Sequence, residues 1–457
     1  MSAAEARPSA SALPALDRRP TPAAQALIRG AHLLDPRAGL DGPGDLLVRD
    51  GRIAELGAPG ALEAPSGCEV VEAEGLHAFP AFFDPHVHLR TPGREDEEDV
   101  ASGTRAAAAG GYCAIVAMPN TDPVVDSASV LGSLRDRARA EAHVGTAFLA
   151  CVTRGQGGEE LTEMAELADA GALGFTDDGF PVERAGVLRQ ALQYQRLAGG
   201  VLCLHEEDRS LSGAGVMHEG PVSAALGLAG IPSVSESTAI ARDAALAGYE
   251  NGRMHVQHVS ARESVVAVEQ ARQAGVRLTA EVTPHHLTLT DECVRSLDTG
   301  YKMNPPLRDE ADRLALVEAL RSGAIDCVAT DHAPHSREEK EHPFEVAPMG
   351  VIGLETAFAS LYTELVVPGR LELATLVERM SAGARVFDLP QPMLSPGSPA
   401  DLCLVDLDAT WEVGEAGYES RSANTCFAGR ELAGRVRMTL AGGSVAYRER
   451  TFAIEAV

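Results

Sequence analysis

Hydrophobic and polar positions divide the chain into three stretches. The first two dozen residues are rich in Ala, Pro and Ser and carry no apolar centre. From Gln25 to about Val71 apolar residues fall in short alternating runs. Two of these flank Asp50-Gly51 within Asp45–Ile53, which predicts a hairpin with a two-residue turn. From about Leu76 the rhythm changes to strand-length apolar runs separated by Ala-, Glu- and Arg-rich stretches of helical period, such as Ser264–Ala274 and Ala311–Arg321. Eight such runs follow one another. They end at His86, at Asn120 (after Tyr112–Met118), at Thr153 (from Val144) and at Asp177-Asp178 (after Ala172–Thr176). The others end at His205 (after Val201–Leu204), at His258 (after His255–Gln257), at Thr283 (from Arg277) and at Asp331 (after Cys327–Thr330). Strand signals return from Leu389, in Asp401–Asp406 and Arg435–Leu440.

Strands alternating with helices predict an α/β protein, and eight units predict a (β/α)8 TIM barrel over residues 78–385. In that architecture the chemistry sits at the carboxyl ends of the strands, where most of these runs place a His, Asp or Asn. A doubly wound open sheet is the alternative. The flanks, residues 25–77 and 386–457, are expected to pair into one small β-domain, a β-sandwich built from both ends of the chain. Residues 1–24 are expected to form a disordered tail.

Composition changes this picture little. Of 457 residues 45% are hydrophobic, as in a globular protein. The formal net charge of −27, from 39 Lys and Arg against 66 Asp and Glu, argues against nucleic acid or an anionic membrane as partner. Eight cysteines occur without a CxxC pair, several in strand-like runs, and read as reduced core residues. With no apolar run long enough to span a bilayer and no signal-peptide centre, the expected location is cytoplasmic.

The candidate chemistry begins at Asp84-Pro85-His86-Val87-His88-Leu89-Arg90. Residues i and i+2 of a strand share a face, so His86 and His88 aim two imidazoles at one point. Arg90 follows with a fork suited to a carboxylate. Together the strand ends supply His86, His88, Asp178, His205, His258 and Asp331, a nitrogen and oxygen donor set that suits zinc, manganese or cobalt. Six ligands are too many for one ion; two ions with a bridging carboxylate would divide them. Such a site would lower the pKa of bound water to roughly 7 and polarise a carbonyl, which suits attack on an amide-like carbon. Asp177 points to the opposite side, with a capping or solvated role expected, and His255 is expected as a satisfied barrel residue. His285 and His286 are expected near a helix start or behind the ligands. Glu206-Glu207-Asp208 reads as a mostly solvated face. His218 and His342 fall in expected loops without a role.

The ordered set of motifs resembles the type I dihydroorotases of the amidohydrolase superfamily, from about Gln25 to the C-terminus. It comprises Asp84–Arg90, Thr104–Gly111, Met118–Thr121, Thr176–Gly179, Val256–Ser260, Thr283–Leu287, Met303–Arg308 and Ala329–His335. The resemblance implies one zinc on His86, His88 and Asp331, a second on His205 and His258, and Asp178 as the bridge. In hydantoinase and dihydropyrimidinase relatives a carbamylated lysine bridges, whereas Gly174–Gly179 contains no lysine. It further implies Asp331 as the catalytic acid and base. His88, Arg90, Asn120, Asn304 and His335 are implied as substrate contacts, with Met349 and Gly350 closing over the ring. Glu206 departs from a commoner small residue after the histidine. The implied reaction is reversible cyclisation of N-carbamoyl-L-aspartate to L-dihydroorotate in pyrimidine synthesis. A homodimer and an association with aspartate carbamoyltransferase are implied as partners. Two alternatives stay open: another cyclic-amidase activity, such as hydantoinase or allantoinase, and a non-catalytic subunit scaffolding that transferase.

Overall fold

The computed structural model describes residues 16–449. Both flanks of the chain meet in one eight-stranded sheet. Its order runs Ser444–Arg448, Glu431–Ala441, Leu402–Glu412, His77–Pro80, Ala26–Asp35, Leu40–Arg49 and Arg52–Gly57, with Glu69–Glu72 also beside Ala26–Asp35. The seam between flanks is antiparallel, Leu402 opposite Pro80 through Val405 opposite His77. The expected boundary at residue 77 therefore falls inside this sheet, which keeps the chain to Pro80. The hairpin forms where the pattern predicts it. Arg49 faces Arg52, and both turn residues have positive φ, 51° at Asp50 and 71° at Gly51.

The sheet folds over so that its ends meet. Ile53 N donates to Ser398 O at 3.0 Å. A Cβ on Gly51 would lie 2.8 Å from the Gly443 carbonyl oxygen, so the approach of these turns requires glycine. Inside, Ile28, Leu46, Val48, Ile53, Val71, Leu402, Leu404, Met438 and Leu440 form one core drawn from both flanks.

The eight apolar runs pair in parallel. Phe82–Val87, Tyr112–Ala117 and Gly145–Phe148 form one sheet; Leu202–Leu204, Arg253–Val256, Arg277–Val282 and Cys327–Val328 form another. The run at Ala172–Thr176 joins them through single bridges, Ala150 with Phe175 and Phe175 with Leu202. Its backbone is bonded on both sides: Thr176 N donates to Ala150 O at 2.9 Å, and Cys203 N to Phe175 O at 2.8 Å. Val87 bridges His332 in parallel, which returns the pairing from the last run to the first. The runs are nearly all apolar because helices cover the outside. The helix expected at Ala311–Arg321 spans Glu310–Ser322, capped by Asp309 and closed by Gly323 at φ 87°. The one expected at Ser264–Ala274 spans Arg262–Gln273.

One expectation is corrected. The segment 16–24 is anchored rather than loose: Asp17 and Ala24 are buried, and Asp17 bridges Thr146 and lies 2.6 Å from Arg135 Nε and 2.9 Å from Arg139 Nε. Two guanidinium groups hold a carboxylate that composition alone reads as part of a tail. The remainder of the expected tail, residues 1–15, lies outside the described residues, as do 450–457. All eight cysteines are free and seven are buried.

Candidate metal centre

Five of the six expected ligands converge directly. His88 Nε2 lies 3.1 Å from Asp331 Oδ1, and His86 Nε2 lies 3.4 Å from both Asp331 Oδ1 and Asp178 Oδ1. Asp178 reaches to either side, its Oδ2 3.4 Å from His88 Nε2 and its Oδ1 3.7 Å from His258 Nε2. Their donor atoms form two overlapping groups, His86–His88–Asp331 and His86–Asp178–His258. His205 stands at the edge of the second. Its Nδ1 is 3.0 Å from His258 Nε2, while its Nε2 faces Glu207 at 3.2 Å and Asn304 Nδ2 at 3.3 Å.

Strand ends and backbone strain set this geometry. Asp84 accepts from His86 N at 3.1 Å and from Thr330 N and Oγ1, tying the end of the first run to that of the last. Arg90, His258 and Asp331 carry φ of 53°, 32° and 47°, a left-handed backbone that non-glycine residues adopt at a cost of about 1–3 kcal/mol each. Such strain recurs where a fold over-determines a functional side chain.

The electrostatics suit cations. Burial opposes charge on His86, yet Asp178, Asp331 and Glu281 raise its pKa well above the usual imidazole value. Burial likewise opposes ionisation of Asp178 and Asp331, and the surrounding imidazoles, His86 first, hold both below the usual carboxylate range. The cluster is thus arranged to keep carboxylates ionised at depth, which favours a compensating positive charge. His86 Nε2, Asp178 Oδ1 and His258 Nδ1 are buried without a hydrogen-bond partner among the described residues. The unpaired atoms of His86 and Asp178 face the cluster and fit divalent metal ions.

The expected substrate contacts gather beside these ligands. Asn120 Oδ1 is 2.9 Å from His88 Nδ1, and Asn304 Nδ2 is 3.2 Å from Glu207 Oε2. Arg90 Nε donates to Pro334 O at 2.9 Å, and its Nη2 lies 3.4 Å from His335 Nε2. His335 Nε2 is also 2.9 Å from Met349 O, next to Gly350 at φ 135°. A Cβ on Gly350 would come within 3.0 Å of His335 Nε2.

Asp177 is buried and caps the neighbouring run through Val152 N at 2.8 Å and Thr153 N at 3.1 Å, so its role is capping rather than solvation. His255 is satisfied within the strands by Thr279 and Glu281. His285 and His286 open the short helix Pro284–Thr288. His218 lies in the strand Met217–His218, buried beside Arg308, rather than in a loop. The solvated reading of Glu206-Glu207-Asp208 is overturned. Glu206 is buried, and Glu207 turns inward to His205 and Asn304, which hold its carboxyl down to about 2 against the cost of burial. Asp208 caps the helix Arg209–Ser212. Sequence reasoning passed over Glu281, whose Oε1 lies 2.7 Å from His86 Nδ1. Its signal was an acidic residue inside the apolar strand Arg277–Val282. Glu97 and Glu98, buried in the acidic run after Arg90, were also passed over.

The Dihydro-orotase-like family model matches residues 77–264. A dihydroorotase from Pelotomaculum thermopropionicum is 45% identical over 425 residues, 93% of this chain and 99% of the relative. The chain belongs to the dihydroorotase family. Another family member, a dihydroorotase from Anaeromyxobacter dehalogenans, is 45% identical over 92% of this chain and 98% of its own length. Among solved structures, the L-hydantoinase (dihydropyrimidinase) from Arthrobacter aurescens superposes with a TM-score of 0.82 at 26% identity, covering 93% of this chain and 96% of that one. Membership in the dihydroorotase family makes the chain a cyclic amidohydrolase with an α/β fold, and members of that superfamily are metal-dependent. Among the described residues no helix is long and apolar enough to cross a membrane.

Proposed function

We propose that the protein is a dihydroorotase that interconverts N-carbamoyl-L-aspartate and L-dihydroorotate in pyrimidine synthesis. The observation that carries this reading is the convergence of His86, His88, Asp178, His258 and Asp331 beside Arg90. The reading takes the architecture as a (β/α)8 barrel, which the closed circuit of parallel pairings supports, with a β-sandwich-like domain made from both flanks. His86, His88 and Asp331 would hold one zinc, His205 and His258 a second, with Asp178 between them. When bound, the two ions would supply an activated water and polarise the scissile carbonyl.

The chain's own residues supply the rest. Arg90 takes the substrate carboxylate on its guanidinium fork, with Asn304 and His335 beside it. Asn120 fixes the ring of His88. Asp331, kept ionised by its imidazole neighbours, accepts the proton of the attacking water as the new C–O bond forms. It returns that proton to the ring nitrogen as the C–N bond breaks. In the cyclising direction it removes a ureido proton as the nitrogen attacks the carbon of the protonated side-chain carboxyl. It delivers that proton to the hydroxyl oxygen, which departs as water as the C–O bond breaks. Met349 and Gly350 close over the ring. The absence of lysine from Gly174–Gly179 separates this bridge from the carbamylated one of hydantoinase relatives.

Assay of the purified protein with L-dihydroorotate, N-carbamoyl-L-aspartate, hydantoin and allantoin, with and without chelator, tests the reading. Turnover of the first two only, lost on chelation and restored by zinc, is expected. Faster turnover of hydantoin or allantoin, or undiminished activity in metal-free protein, would sink it. The reading extends to a cytoplasmic homodimer able to associate with aspartate carbamoyltransferase, which sedimentation with and without purified transferase would test.

A further inference from the structure

Arg94-Glu95-Asp96-Glu97-Glu98-Asp99 has the composition of a solvated surface run, yet Glu97 is 2% exposed. A carboxylate at that depth requires partners. Glu97 has three: Arg94 Nη2 donates to Oε1 at 2.9 Å, His335 Nδ1 lies 3.4 Å from Oε1, and Arg90 Nε lies 3.4 Å from Oε2. Two of the three are the groups read above as taking the substrate's carboxylate. The Arg90 side chain is 13% exposed and stands on a left-handed backbone (φ 53°). Its Nε side is occupied by Glu97 and Pro334 O and its Nη2 lies 3.4 Å from His335 Nε2, which leaves Nη1 and the second Nη2 hydrogen for an anion. Glu97 Oε1 faces the Nδ1 edge of His335 at 3.4 Å, and the Nε2 edge lies 2.9 Å from Met349 O. Arg94, anchored in turn by Glu339 Oε1 at 2.9 Å, ties the carboxylate to the short helix Arg337–Lys340 that follows His335.

We propose that Glu97 is a positioning residue for substrate recognition, its buried carboxylate fixing Arg90 and His335 where they meet the carboxylate of the substrate. The proposal rests on the reading of those two residues as substrate contacts. Glu97 touches neither substrate nor metal ligands in this role; it acts through Arg90.

The test uses zinc-loaded enzyme and steady-state hydrolysis of L-dihydroorotate. Glu97→Gln should raise KM about tenfold, the scale of one charged hydrogen bond, with kcat within about threefold and the zinc content of the wild type. In an Arg90→Lys background the same change should raise KM by less than about twofold, because the residue through which it acts is already lost. A KM within about twofold of wild type in Glu97→Gln overturns the proposal, and so does full multiplication of the two effects. A parallel fall in kcat and zinc content also overturns it, since that is the signature of a structural role. If Glu97→Gln fails to fold, Glu97→Asp decides. One methylene shorter, it cannot reach Arg94 and His335 together, so a raised KM at retained kcat supports the proposal and an unchanged KM overturns it. Wild-type enzyme inactive on dihydroorotate overturns the functional reading and this proposal with it; an active wild type beside an indifferent Glu97→Gln overturns the proposal alone.

Discussion

Glu281 Oε1 lies 2.7 Å from His86 Nδ1, while the opposite nitrogen of that ring, Nε2, is buried without a partner among the described residues. A carboxylate on one edge of an imidazole fixes the proton there and leaves the other nitrogen as a donor for metal. The second oxygen of Glu281 is 2.9 Å from His255 Nε2, so the carboxylate is itself oriented from behind. Burial would favour its neutral form, but His86 and His255 hold it down to about 2.

Glu281→Gln should therefore weaken zinc retention about 10- to 100-fold, as loss of such supporting carboxylates does elsewhere. Metal content after dialysis against a graded series of chelator concentrations measures this. Retention equal to wild type would show that His86 is oriented without Glu281.

Asp331→Asn keeps the shape of the side chain and removes its basicity. If Asp331 carries the proton, kcat for dihydroorotate should fall by about 10²–10⁴ in both directions of the reaction. Zinc content, measured alongside, separates this from loss of a ligand. A variant that retains metal and turns over near the wild-type rate would remove Asp331 from its proposed role.

Arg90→Lys preserves the charge but not the planar fork. The guanidinium uses Nε on Pro334 O and Glu97 and still presents terminal nitrogens, an arrangement one ammonium cannot reproduce. KM for dihydroorotate should rise by about 10-fold or more, with a smaller effect on kcat. Steady-state kinetics read this directly. An unchanged KM would place the substrate carboxylate elsewhere.

The strand ends were legible because parallel strands buried on both faces leave long apolar runs, and a polar residue closing such a run is conspicuous. His86, His88, Asp178, His258 and Asp331 meet as their positions suggested. His205 was placed correctly at a strand end, but its engagement with Glu207 and Asn304 was not foreseen. The buried carboxylates were harder to read. Glu281 is held by His86 and His255, while Glu97 and Glu207 combine near partners (Arg90 and Arg94, His205) with His335 and Asn304, which are remote in sequence, and a local acidic pattern carries no trace of those remote partners. The packing of Asp17 on Arg135 and Arg139 was hidden for the same reason, since more than a hundred residues separate the ion-pair partners.

Glu355 links the acidic composition to pH-dependent stability. Burial pushes its carboxyl up from 4.5 to about 7, against the lowering effect of backbone donors from Glu419 at 3.0 Å and Ser420 at 3.2 Å. The nearby charges of Glu419 and Glu98 add to the rise. Because the folded-state pKa lies above the unfolded one, the folded protein binds more protons between the two values. Stability is therefore greatest below about 4.5 for this group and declines as pH rises through 7. Glu355→Gln removes the titration while keeping an oxygen for one of the two backbone donors. At pH 8 it should be more stable than wild type by roughly 1–3 kcal/mol, the lower end reflecting solvent screening of a side chain that is not fully buried. Near pH 4, below both values, the titration contributes no difference between the two proteins. Urea unfolding of zinc-loaded protein across this range measures the difference, and a gap that stayed constant with pH would assign the effect to packing rather than to charge.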